Sequence, residues 1–136
     1  MLNKFTLFLF VLFASLVNAQ NKIGEPDINN LDKYIQEVFV EHKEILAPKD
    51  SEQYAFLKDY LKRIEYLDYS SLDQINSTVR EITPNLLAST YTDLNFDKNI
   101  EPKNFNPLKF KLDYANNIEP VYYYINEKFI IKINPL

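Results

Sequence analysis

The stretch 120–136 constrains this chain more than any other, because it reads as a β-hairpin whose apolar face the remaining residues must cover. Val121, Tyr123 and Ile125 alternate on one arm and Phe129, Ile131 and Ile133 on the other, and these residue types fit a pleated, half-buried surface. Asn126-Glu127-Lys128 lies between them. A three-residue loop sets Ile125 against Phe129, Tyr123 against Ile131 and Val121 against Ile133, so that one face is wholly apolar. A two-residue loop slips the pairing by one and puts lysines on the face of Val121, Tyr123 and Ile125. Turn chemistry pulls the other way: the short turn welcomes Asn126 at positive φ, and the longer one wants glycine where Lys128 stands. Burial outweighs it, since a large buried apolar side chain contributes ~1.5 to 3 kcal/mol against ~1 to 2 kcal/mol for a non-glycine in a left-handed position. The predicted register buries Tyr123 and exposes Tyr122.

Residues 1–19 read as a cleaved signal peptide. Lys4 supplies the positive start, residues 5–17 the apolar run, and Val17-Asn18-Ala19 a small-residue cleavage site. That run is shorter than the ~20 apolar residues needed to span a bilayer. Removing 19 of the 136 residues leaves 117, the size of one domain, and a domain of that size buries ~65% of its unfolded surface. Without Lys4, 14 basic residues stand against 19 acidic ones, a formal charge of −5. A chain this acidic, with no basic run, has no electrostatic footprint for nucleic acid. The absence of cysteine excludes disulfides, thiol catalysis and a lipidated-cysteine anchor.

Residues 20–29 carry the single glycine, Gly24, and read as an extended leader to a single α+β domain over 30–136. Leu31, Tyr34, Ile35, Val38, Phe39, His42, Ile45 and Leu46 recur at helical spacing, and Pro48 ends that helix. Asp50-Ser51-Glu52-Gln53 resembles a capping box headed by Asp50. It opens a second helix with Tyr54, Leu57, Tyr60, Leu61, Ile64 and Leu67 on one face and an Asp59–Arg63 pair on the other. Ser71-Leu72-Asp73-Gln74 repeats the pattern before a third, shorter helix bearing Leu72, Ile75, Val79 and Ile82, within which Asn76-Ser77-Thr78 matches a glycosylation sequon. Leu108, Phe110, Leu112 and Tyr114 alternate with Lys109, Lys111 and Asp113 as a half-buried strand. Helices followed by strands predict an α+β fold: three main helices packed on one face of a three-stranded antiparallel meander.

Chemistry-bearing motifs are sparse. Residues 93–101 alternate side-chain oxygens as a calcium loop does, but Lys98 replaces the turn glycine and Asn104 the bidentate glutamate. Chelators are therefore expected to leave thermal stability unchanged. His42 is the only imidazole, so a multi-histidine metal site within one chain is excluded, and its place on an apolar stripe predicts a packed residue. Phosphate-cradling loops need glycines that this chain lacks, so no cofactor is expected. The outer face of the predicted sheet presents Tyr122 opposite Lys132 and Tyr124 opposite Ile130, with Lys111 alongside. Tyrosines among lysines offer contact area and hydrogen-bonding tips to a partner, and these five residues are the predicted binding set. The composite expectation is an exported, non-enzymatic binding or accessory protein of the bacterial cell envelope, periplasmic or secreted, whose partner is another exported protein. Two alternatives stand beside it: a small hydrolase built on scattered carboxylates and His42, and a soluble inhibitor or shield of another exported protein.

Overall fold

A computed structural model describes residues 20–38, 48–82, 97–115 and 118–136. Its centre is a five-stranded mixed sheet: β1 (Lys22–Gly24), β2 (Ile64–Asp68), β3 (Val79–Glu81), β4 (Val121–Asn126) and β5 (Phe129–Ile133). The spatial order is β1-β2-β5-β4-β3, with β3 parallel to β4 and every other pair antiparallel. Two α-helices, α1 (Leu31–Val38) and α2 (Glu52–Lys62), and several 3-10 turns accompany it. No helix among the described residues is long and apolar enough to cross a membrane.

The hairpin keeps the expected register over residues 121–124, but Phe129 faces Asn126 rather than Ile125, and the turn is Glu127-Lys128 with Asn126 on the strand. Val121 pairs with Ile133, Tyr122 with Lys132, Tyr123 with Ile131 and Tyr124 with Ile130, after which the ladder shifts so that Asn126 faces Phe129. Ile125 is thus an extra residue on β4, a bulge that lets a two-residue turn at Glu127-Lys128 coexist with apolar-on-apolar pairing. Asn126 Oδ1 accepts from Lys128 N at 2.9 Å, and none of the described residues has positive φ. Burial thus sets the register, and the left-handed Asn126 that turn chemistry favoured does not occur.

The sheet is covered on both faces. On one, Ile64, Tyr66, Val121, Tyr123, Ile125, Phe129, Ile131 and Ile133 pack with α1, α2, Phe105, Leu108 and Leu112. On the other, Leu67, Tyr122 and Ile130 pack under Leu72, Ile75 and Val79. This second cover corrects the three-helix, three-strand expectation in several places. Residues 64–68 form β2 rather than the end of the second helix, because a strand buried on both faces loses its period-two alternation and its apolar spacing mimics a helix. The third helix is a 3-10 turn over Tyr69–Gln74 followed by β3, so the sequon Asn76-Ser77-Thr78 is exposed and non-helical. Residues 108–114 lie outside the sheet: Pro107 opens a 3-10 turn and Asn106 Oδ1 caps it from Leu108 N at 3.0 Å.

Smaller expectations shift too. Ser51, not Asp50, caps α2 by accepting from Tyr54 N at 3.1 Å. Arg63 turns away from Asp59 and donates from Nε to Asn134 O and from Nη2 to Tyr114 O, each at 2.8 Å. The extension of the first helix beyond Val38, His42 and residues 93–96 of the calcium-like segment lie outside the described residues.

Candidate ligand cleft

The predicted binding set does not form one surface. Tyr122 is only 7% exposed and Ile130 is fully buried, because residues 69–79 lie over that face of the sheet. The Tyr122 hydroxyl accepts from Gln20 Nε2 at 3.0 Å. Lys132 is half-buried and pairs with Glu65 at 3.4 Å. Tyr124 is half-buried and meets Tyr69 edge-on, with ring centroids 5.9 Å apart. Lys111 is exposed and belongs to a different region. The expectation of an exposed tyrosine face is thereby corrected: the apolar residues that resembled a third helix are its cover.

Two concavities remain. The larger, about 600 Å³, lies by the hairpin turn between Glu81-Ile82, Lys98-Asn99 and residues 124–128. Two of its polar side chains, Asn126 and Lys128, serve the fold, whereas Glu81, Lys98 and Glu127 make no ion pair among the described residues. Asn126 Nδ2 donates to Lys98 O at 3.1 Å and Ile100 O at 3.0 Å, while Lys128 Nζ donates to Asn99 O at 3.0 Å and pairs with Glu101. Charges of both signs line it, Glu81 and Glu127 against Lys98 and Lys128.

The smaller cleft, about 420 Å³, has the opposite character. One wall is the face of α2 bearing Phe56, Leu57 and Tyr60, and the other is Leu108 with residues 110–115. Phe56 is 49% exposed and Tyr114 40%. Tyr114 packs edge-on against Phe56 at 5.4 Å and tilted against Tyr60 at 4.9 Å. A volume of a few hundred Å³, mostly apolar and aromatic with few polar groups, is the usual form of a small-ligand site.

The second wall needs explanation, because it belongs to no sheet. Tyr123 Oη accepts from Asp113 N at 2.8 Å and from Arg80 Nη1 at 3.3 Å, and Arg80 pairs with the Asp113 carboxylate at 3.2 Å. Arg63 holds Tyr114 O from the end of α2. Three elements, β3, β4 and α2, thus help to fix a segment that lies outside the five-stranded sheet and carries a single β-bridge at Phe110. Groups so held keep a site in shape before a ligand arrives.

Two features of the cleft remain unsatisfied by the fold. Tyr60 is 4% exposed, and its hydroxyl is buried without a hydrogen-bond partner among the described residues. Burial first, then the neighbouring Tyr123 and Tyr114, push this phenol far above its ordinary range, so it stays neutral at any physiological pH. It can donate a hydrogen bond but cannot serve as a base. At the rim, Asp113 is committed to Arg80, whereas Lys111 has no ion-pair partner among the described residues.

The sequence did carry a signal for this place. Phe56 borders the apolar stripe of α2, four residues before Tyr60, and widens it beyond what the expected sheet would cover. Tyr114 gave no such signal, because it sat in register with an expected strand. Among the described residues no group of three or more His, Cys, Asp or Glu side chains is placed to hold a metal ion. No protein-family model matches the chain, and neither a curated protein nor a solved structure shows significant similarity to it.

Proposed function

We propose that this chain is an exported, non-enzymatic binding module of the bacterial cell envelope, and that its ligand enters the cleft between α2 and residues 110–115. The observation that carries this reading is a pre-shaped apolar cavity whose outer wall is fixed by Arg63, Arg80 and Tyr123 while Phe56 and Tyr114 stay exposed. Polar contacts are being spent on keeping a hollow in shape. Turnover by general acid–base chemistry needs a titratable group poised near the working pH. Of the four titratable side chains that line this cleft, Tyr60 is held neutral by burial and Asp113 is paired with Arg80, while Lys111 and Tyr114 are exposed. Binding is the activity such a site supports.

Export rests on the leader, and the bacterial assignment on that leader together with the Asn-, Lys- and Ile-rich composition. Both parts are tested on protein recovered from the extracytoplasmic fraction of its own host. Intact mass is expected to place the first residue at Gln20, and native mass spectrometry to find a small molecule held non-covalently. The double variant Phe56→Ala, Tyr114→Ala is expected to lose that adduct while remaining folded. A precursor retaining residues 1–19 in the membrane fraction contradicts export by cleavage. An adduct that survives the double variant contradicts the cleft.

A further inference from the structure

We infer that the ligand class of this cleft is an amphipathic monoanion, a compact apolar body ending in a single carboxylate-like group that meets Lys111. The inference rests on the binding role proposed for the same cleft and adds the chemistry of what it takes. Three observations point to it. The walls are apolar and aromatic at both ends, Phe56 and Leu57 on α2 facing Leu108, Phe110 and Leu112, so the body of the ligand must be apolar to gain from entering. The rim carries two charged residues of opposite sign, but Arg80 pairs with Asp113 at 3.2 Å, and Lys111 is the charge left without an ion pair among the described residues. An anion is attracted there and a cation is not.

The third observation is the Tyr60 hydroxyl, a buried donor without a partner among the described residues. A buried polar group left unpaired is costly, and native structures rarely leave one so without a reason. Tyr60 lines the cleft and Tyr114, half out in solvent, packs on it. Size agrees with that class: about 420 Å³ lies within the range usual for a small-molecule site.

A matched pair of dyes separates the parts of this inference. Anilinonaphthalene sulfonate and phenylnaphthylamine share one ring system and differ by the anionic group, and each brightens on entering an apolar site. Both are expected to bind the folded mature protein, with the sulfonate bound roughly fivefold tighter at low salt, the scale of one exposed ion pair. High salt is expected to remove that advantage. Lys111→Gln is expected to bring the sulfonate down to the affinity of the uncharged dye, whose own unchanged binding reports an intact fold. Phe56→Ala is expected to weaken both, and decanoate to displace the sulfonate. Equal affinity of the two dyes for the unmodified protein, or a preference that survives Lys111→Gln, overturns the anionic class and leaves the cleft standing. Failure of both dyes to bind overturns the cleft itself, and with it the binding role.

Discussion

The two clefts of this molecule differ in what their polar atoms are doing. Beside the hairpin turn, Asn126 and Lys128 make contacts that hold the turn against residues 98–101. Beside α2, the hydrogen bonds hold the wall from behind, and among the described residues the lining keeps half-exposed aromatic rings, a buried hydroxyl without a partner and a lysine without an ion pair. We rank the smaller cleft first as the proposed site because its lining is the more apolar and aromatic of the two.

That contrast breaks most directly through Asn126. Its amide satisfies Lys98 O and Ile100 O and accepts from Lys128 N, so Asn126→Ala is expected to cost ~2 to 3 kcal/mol in urea unfolding, through backbone groups left unpaired. A loss below ~0.5 kcal/mol would mean that these contacts are not what shapes the turn. Arg63→Ala comes next, at ~1 to 2 kcal/mol, because it removes charged hydrogen bonds to Asn134 O and Tyr114 O. It is also expected to abolish dye binding, since the wall loses its hold. Normal binding by that variant would show that the wall stands without it.

Tyr60→Phe sharpens the comparison from the other side. Removing a hydroxyl that has no partner is expected to leave thermal stability unchanged or to raise it by up to ~1 kcal/mol. A clear loss would reveal a partner for that hydroxyl. The smallest expected effect on stability is that of Phe56→Ala, within ~0.5 kcal/mol because half of the ring is already in water. Its effect on binding is expected to be among the largest. Stability and function should thus part company at Phe56 and run together at Arg63.

How much of this was legible in the sequence follows from how each segment is buried. β4 and β5 alternate cleanly, so their pairing could be read residue by residue, and only the bulge at Ile125 escaped. β2 is buried on both faces, with Ile64 and Tyr66 on one and Leu67 on the other. Its spacing of apolar residues therefore matched a helix continuing from α2. The apolar residues at 72–79 mimic a helix for a different reason: they belong to a 3-10 turn and a three-residue edge strand, and at that length periodicity cannot distinguish the two. The strand expected over 108–114 has the right alternation but is preceded by Asn106-Pro107, whose cap and fixed φ start a 3-10 turn instead. Of the predicted binding set, Tyr122 and Ile130 were lost to the unforeseen cover. Lys111 kept a candidate role at a site the sequence did not assemble.

The central claim is that the cleft beside α2, and not the larger one by the hairpin turn, receives an apolar ligand. Residue-resolved NMR of the isotopically labelled mature protein during titration with decanoate tests it most directly. The expected result is saturable shifts concentrated at Phe56, Leu57, Tyr60 and residues 110–115, with little change at residues 124–128. Shifts centred on Tyr124, Asn126 and Lys128, or no saturable shifts at all, would contradict it.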